Sequence, residues 1–228
     1  MKKSVLVCAT CLAGVFAGTA FAQSGPKEAI DVTHAEVEAV LKAGAARTPP
    51  AVDQTLRVID MGKYSMSVAV IHRGATRAPN AAGRGAGGGA APGGAGRGAV
   101  PAADACGLAE APAGAQASPP GMIEHSQTTE TYIVISGSGT LVTGGEIVKG
   151  RKSGPESEVT KILNGPSCSG TAYGNIVSRN VTVGDITVIP AGVPHGWTNI
   201  TDHVDYLSVR PDPDKVLEHG YVNPALKK

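Results

Sequence analysis

Histidine and carboxylate side chains occur in two stretches of this sequence that also contain glycine. His125 precedes Glu130 in the first stretch, and His195 follows a Pro-Ala-Gly triplet in the second. Neutral imidazoles and a carboxylate together suit Fe(II), Mn(II), Ni(II), Co(II) or Zn(II). Sites with two histidines and one carboxylate keep open positions in non-haem iron oxygenases, and three protein ligands also serve a zinc Lewis acid. The chemistry to consider is therefore that of one divalent metal ion.

The second stretch, residues 184–199, reads GDITVIPAGVPHGWTN. Gly184 and Asp185 are expected to turn the chain into a strand. Pro190 fixes φ and Gly192 can adopt a positive φ, so the Pro-Ala-Gly triplet predicts a tight turn. His195 then begins the next strand, and its ring is expected to point into a barrel.

These residues resemble the second motif of the cupin superfamily. In that motif Gly, Pro, Gly, His and Asn are separated in turn by five, one, two and three other residues. Gly184, Pro190, Gly192, His195 and Asn199 meet every one of these spacings. Glu130, followed after six residues by Gly137, resembles the end of the first cupin motif. TETYIVISGSGTLVTGG and YLSVRPDPDKVL are similar to segments of uncharacterised bacterial single-domain cupins with leader peptides. The resemblance covers about residues 55 to 217 without an insertion. It implies an all-β fold, the cupin barrel (a double-stranded β-helix or jelly roll), with a metal ion.

The front half of the first motif departs from the family pattern, in which His-x-His precedes the glutamate by three or four residues. Either His125 takes the second histidine position and Ile123 stands at the first, or His125 is the first and Gln127 replaces the second. Positions 123, 125 and 127 are expected to share one strand face, so that His125 points inward in either register. The resemblance implies His125, Glu130 and His195 as metal ligands, and the fourth ligand is Gln127, water or substrate.

Four further side chains are candidates for the pocket. Tyr132 lies two residues beyond Glu130 on the same strand side, where it either donates a proton to substrate or packs in the core. His72 and Arg73 end a strand and either line the barrel mouth or are solvated. Trp197 either walls the pocket or serves packing.

Local patterns predict one early helix and many short strands, which favours a barrel or jelly roll. Thr33 and Glu36 form a capping box before an amphipathic helix over 34–44, expected to pack outside the barrel. Residues 81–100 are almost all Gly, Ala or Pro, and we predict a flexible insertion from about 78 to 118. The remaining predictions are strands over 56–61 and 64–73, a turn over 136–139 between strands 131–135 and 140–143, a strand over 159–163, a loop over 164–174, and strands over 175–183, 186–189 and 206–209.

The first 22 residues have the pattern of a signal peptide: two lysines, a short apolar stretch and an Ala-Phe-Ala cleavage site. The alternative is an uncleaved membrane anchor. Cleavage would leave a periplasmic or secreted protein beginning at Gln23, with a helical extension to 52, a barrel over 53–217 and a tail over 218–228. Export makes a disulfide between Cys106 and Cys168 plausible, but the sequence leaves unpaired thiols equally open.

The charge balance excludes one class of function. Net charge is +1 and no basic patch is visible, which argues against nucleic acid as a partner.

The leading functional hypothesis is a metal-dependent enzyme acting on a small molecule inside the barrel, with dioxygenase chemistry first and isomerase or lyase chemistry second. The alternative is a non-catalytic module that binds or senses a small ligand, and a third hypothesis is an envelope protein using the Gly/Ala-rich segment as an arm. No membrane contact is expected after cleavage, and a homodimer is an open expectation.

Overall fold

The computed structural model describes residues 25–76 and 104–227. Within these ranges nine strands form one hydrogen-bonded system that folds into a barrel, in the order β1-β2-β9-β5-β6-β4-β8, with β3 and β7 also pairing with β5. The predicted all-β barrel is thus confirmed. The strands are β1 Asp53–Asp60, β2 Ser65–Gly74, β3 Ala105–Cys106, β4 Met122–His125, β5 Glu130–Lys152, β6 Ser167–Thr182, β7 Ile186–Ile189, β8 His195–Thr198 and β9 His203–Asp212.

Strand β5 runs through both faces of the barrel. Its first half pairs with β7 and β9, and its second half pairs with β6 and β8. The predicted turn over 136–139 is therefore wrong: the chain bends there without reversing. The pairing with β9 shifts register between Val134 and Ser136, and Gly137 has a φ of 69°. A bulge of this kind bends a strand, which lets it continue from one face to the other.

Two predictions over 159–174 are also wrong. Val159–Leu163 is a π-helical turn, whereas most of the predicted loop belongs to β6, which pairs with β4 and β5. The Gly and Ser content that suggested a loop has a packing cause. A Cβ on Gly170 would lie 2.8 Å from Cγ2 of Ile147, so this crowded strand position favours glycine.

The predicted flexible insertion falls in two parts. Residues 78–103 lie outside the described residues. Over 104–118 the prediction of flexibility is wrong, because β3 pairs with β5 and Cys106 is disulfide-bonded to Cys168 across a Cα–Cα distance of 6.0 Å. Ser118 adds a backbone hydrogen bond of 2.7 Å to Ala172. Cys106 in this segment packs against a buried apolar cluster that includes Met122 and Ile147.

The helix α1 (His34–Ala45) has the predicted capping box, and its bounds agree with the sequence to one residue. It packs on the outside of the barrel, where Val37 and Val40 contact a cluster containing Leu56 and Val70. No helix among the described residues is long and apolar enough to cross a membrane. The signal peptide at 1–22 lies outside the described residues, so the periplasmic location stays a prediction.

Candidate metal centre

Three strand ends bring His125, Glu130 and His195 together. His125 is the last residue of β4, Glu130 the first of β5 and His195 the first of β8. Ile123 pairs with His195, which places the inward face of β4 beside the start of β8. Nε2 of His125 lies 3.2 Å and Nε2 of His195 lies 3.0 Å from Oε2 of Glu130. Each of the three side chains is at most 3% exposed.

The hydrogen bonds of the two rings leave both Nε2 atoms free to bind a cation. Nδ1 of His125 lies 2.8 Å from Oγ of Ser167, which donates its proton to the carbonyl of Gly165. That hydroxyl therefore accepts from Nδ1–H of His125. Nδ1 of His195 lies 3.0 Å from the carbonyl of Val193, which can only accept. With both protons on Nδ1, each neutral ring presents its Nε2 lone pair.

Oε1 of Glu130 is bound by partners that oppose the cost of burying its charge. Nε of Arg210 donates to it at 2.8 Å and Oγ of Ser208 at 3.0 Å. Arg210 is itself held by Oδ2 of Asp53 at 2.7 Å and by the carbonyl of Leu163 at 2.9 Å. Burial alone would raise the pKa of Glu130, but the Arg210 guanidinium holds it well below its ordinary value. The glutamate is therefore a carboxylate with Oε2 turned to the rings.

Tyr132 touches the centre directly. Its hydroxyl donates to Oε2 of Glu130 at 2.8 Å, and its ring lies edge-on to His195 with centroids 6.0 Å apart. Burial and then the charge of Glu130 raise the pKa of Tyr132 well above its ordinary value. The phenol thus stays protonated as a donor beside the candidate metal ligands. Its catalytic role stays a prediction.

The two alternatives for the missing histidine are placed differently. The expectation that positions 123, 125 and 127 share one strand face is wrong for 127, because β4 ends at His125. The amide Nε2 of Gln127 lies 3.4 Å from Oδ2 of Asp214. Ile123 has the same strand parity as His125, and it lines a cavity of about 530 Å³ whose walls include Arg151 and Glu158 but none of the three candidate ligands. The role of Gln127 as the fourth ligand stays a prediction.

Other candidates from the sequence fall on opposite sides of the barrel wall. His72 points outward, 48% exposed, with Nδ1 2.6 Å from Oδ1 of Asp205. Arg73 points inward, and its Nε donates to the hydroxyl of Tyr206 at 2.8 Å. Trp197 also faces inward and stacks on Tyr206, with ring centroids 5.2 Å apart.

The sequence reading missed Arg210, Ser208 and Ser167, which support the ligands. A signal was present for two of them. Residues 206, 208 and 210 alternate with Leu207 and Val209, so the period of two places them on one strand face, but it does not show that this face points inward. Nothing in the sequence indicated that Ser167 lies beside His125.

The residues present fit a metal ion. One atom from each of His125, Glu130 and His195 lies within 4.8 Å of the others, and each presents a lone pair. Three converging acceptor atoms of these types suit a shared divalent cation. Burial lowers the pKa of His125, although Glu130 opposes this, so the ring is neutral and ready to bind metal at neutral pH.

The barrel carries a histidine from each of the two motifs and Glu130 on its inner surface, which is the arrangement that the sequence resemblance predicted. No protein-family model matches the sequence, and no curated protein does.

Solved structures resemble it at low identity. A protein from Klebsiella pneumoniae with a double-stranded β-helix domain is 15% identical, with 71% of this chain and 79% of that chain covered and a TM-score of 0.31. A protein from Bacillus halodurans is 12% identical, with 88% and 92% covered and a TM-score of 0.37. Oxalate oxidase in complex with glycolate is 16% identical, with 72% and 53% covered and a TM-score of 0.31. Likenesses at these scores carry no information on the reaction.

Proposed function

We propose that this protein is a metal-dependent enzyme acting on a small organic molecule inside the barrel. One observation carries the proposal: the Nε2 atoms of His125 and His195 and Oε2 of Glu130 converge, while the opposite atom of each ligand is held by the protein. Outer partners of this kind orient metal ligands and fix the imidazole tautomer.

The number of ligands favours a catalytic role. Structural zinc sites have four protein ligands, whereas catalytic sites have three and an open position for water or substrate. The described residues contain this one group of three His, Cys, Asp or Glu side chains able to hold an ion. A bound ion would supply Lewis-acid stabilisation of developing negative charge or, if iron, oxygen chemistry. We place dioxygenase chemistry first and isomerase or lyase chemistry second.

The chain's own residues have separate tasks in this proposal. Tyr132 holds a proton beside the carboxylate ligand and is the candidate general acid. Arg210 keeps Glu130 charged and fixed. Gln127 is kept as a candidate fourth ligand. The enzyme would act in the periplasm, after cleavage before Gln23, as a monomer or a homodimer.

Metal content of the mature protein, residues 23–228, tests the site. Elemental analysis should find one divalent ion per chain, and His195→Ala should reduce the content at least tenfold, because two ligands hold an ion poorly. His34→Ala is the matched control, since His34 is exposed at the start of α1. A full metal complement in His195→Ala would overturn the metal assignment.

Turnover tests the enzymatic part. Metal-free protein reloaded separately with Fe(II), Mn(II) or Zn(II) should regain activity on a panel of small organic substrates, followed by oxygen uptake and by product analysis. Tyr132→Phe should keep the metal but lower kcat by about 10²-fold, as expected for loss of a general acid. Metal-loaded protein that binds ligands from the panel and transforms none would instead identify a binding or sensing module.

A further inference from the structure

Three inward-facing aromatic rings adjoin the candidate metal centre. Tyr132 donates to Glu130, and its ring centroid lies 4.3 Å from that of Tyr206 and 6.4 Å from that of Trp197. We call Tyr132, Trp197 and Tyr206 the aromatic cluster. Tyr206 is fully buried and Tyr132 is 3% exposed, so the cluster is part of the interior wall.

Arg73 lies at the other side of this cluster, and it has no acidic partner among the described residues. It shares the inward face of β2 with buried Ala69 and Ile71, and Nε reaches the buried hydroxyl of Tyr206 at 2.8 Å. Its Cζ lies 6.0 Å from the Tyr206 ring centroid. Within residues 25–76 and 104–227, no carboxylate is within ion-pair distance of this guanidinium, and its two terminal nitrogens donate to no residue.

This absence of a partner distinguishes Arg73 from the other inward-facing arginine. Arg210 binds two carboxylates, those of Glu130 and Asp53, so its charge is compensated within the protein. Arg73 is half-buried, and its terminal nitrogens are not among the buried polar atoms that lack a partner. These nitrogens are therefore open to an anion from solution, whereas those of Arg210 are occupied.

Trp197 supplies a second unused donor at the same cluster. Its Nε1 is buried, and no residue in the described part of the chain accepts a hydrogen bond from it. Most buried polar atoms in proteins are hydrogen-bonded, and a specific exception calls for a missing acceptor. The indole also stacks on Tyr206, the residue that Arg73 contacts.

We propose that Arg73 and Trp197 form a subsite for the carboxylate of a small organic acid, which places another part of the same molecule at the His125, Glu130 and His195 centre. The inference rests on the proposed function, since it names the substrate class of that enzyme. The guanidinium binds the carboxylate through its two terminal nitrogens, and the aromatic cluster covers the apolar part of the acid.

Carboxylate fits the subsite better than phosphate or sulfate. Terminal guanidinium nitrogens match the two oxygens of a carboxylate in a planar, bidentate arrangement. Arg73 contributes one positive charge and Trp197 one neutral donor, which compensates a monoanion but leaves a dianion with excess buried charge.

The single tryptophan makes the subsite observable. Trp197 is the one tryptophan of the chain, so intrinsic fluorescence reports from within the proposed subsite. Acetate, lactate, malonate and benzoate would be titrated into chelator-treated protein and into metal-loaded protein at constant ionic strength. Sulfate and inorganic phosphate are the comparison anions. At least one carboxylate should give a saturable response below about 10 mM, as expected for a weak fragment of a larger ligand.

Two variants assign the response to Arg73. Arg73→Gln should weaken carboxylate binding at least tenfold, and Arg73→Lys should weaken it less because the charge remains. Arg47→Gln is the control: Arg47 is 56% exposed and faces Glu158 on the surface. Circular dichroism and the metal content of each variant show that the barrel and the metal centre are unchanged.

The two proposals fail in different ways. Unchanged carboxylate affinity in Arg73→Gln, a stronger response to sulfate or phosphate, or no saturable carboxylate response would overturn the subsite and leave the metal centre intact. Carboxylate binding that depends on Arg73 in protein that takes up no metal would support the subsite and reject the metal enzyme.

Discussion

Nε of Arg210 and Oε1 of Glu130 lie 2.8 Å apart inside the barrel, and both side chains are 1% exposed. The arginine comes from β9 and the glutamate from β5, so the ion pair joins strands 80 residues apart in the chain. It occupies Oε1 and leaves Oε2 facing the two imidazoles and the Tyr132 hydroxyl. The pair therefore fixes both the charge and the orientation of the candidate metal ligand.

Removing the positive partner should destabilise the fold. Arg210→Met leaves two carboxylates, Glu130 and Asp53, without their buried cation. Breaking a buried pair from one side costs about 3–5 kcal/mol, because the remaining charge is uncompensated. Urea unfolding of metal-free protein should show this loss in the free energy of unfolding.

The control for this variant is Arg47→Met. Arg47 and Glu158 lie 3.8 Å apart and are more than half exposed. Such a surface pair contributes less than about 1 kcal/mol. Equal losses in the Arg47 and Arg210 variants would contradict the importance of the buried pair.

Ser167 should tune metal affinity without being a ligand. Its hydroxyl accepts from Nδ1 of His125, and Ser167→Ala removes the partner that sets the tautomer of the ring. Loss of such a partner weakens metal binding by about 10- to 100-fold. Competition with a chelator measures the change, and Ser178→Ala, on the exposed part of β6, serves as the control. Wild-type affinity in Ser167→Ala would show that the hydrogen bond does not position the ring.

The parts of the fold predicted from sequence are those with local causes. The capping box of Thr33 and Glu36 begins α1 as predicted, and the turn before His195 forms with Gly192 at a φ of 77°. The side chains of His125, Glu130 and His195 also lie close to one another, as the resemblance to the two motifs implied.

The errors concern features set by distant contacts. The Ser-Gly-Ser-Gly run over 136–139 predicts a turn locally, but β9 holds one side of it and β6 the other, so the strand continues. Residues 164–174 predict a loop by composition, yet β4 and β5 pair with them. The order of 104–118 depends on Cys106 meeting Cys168, which no local pattern shows.

The disulfide should contribute measurably to stability. It joins Cys106 to Cys168 across a sequence separation of 62 residues, and closing such a loop in the unfolded chain is worth about 4 kcal/mol in the chain-entropy estimate. Dithiothreitol should therefore lower the urea midpoint of the wild type. The double variant Cys106→Ala, Cys168→Ala should have the lower midpoint already and show no further response. A wild-type midpoint that is insensitive to full reduction, verified by thiol titration, would contradict the prediction.

Gly137 should be the glycine in the barrel least tolerant of a side chain. Its φ of 69° is strained for other residues, and an added Cβ would lie 2.0 Å from the backbone carbonyl oxygen of His203. The contact is with backbone, so a substitution must move β9 against β5 at the bend between the two faces. Gly137→Ala should cost about 2 kcal/mol or more in the free energy of unfolding, because it combines left-handed strain with a displaced strand.

Gly74→Ala is the matched control, because nothing lies within 4 Å of its Cβ position. Its free energy of unfolding should stay within about 0.5 kcal/mol of wild type. Urea unfolding of both variants measures the difference, and a Gly137 variant as stable as the Gly74 variant would mean that the bend does not depend on this close approach.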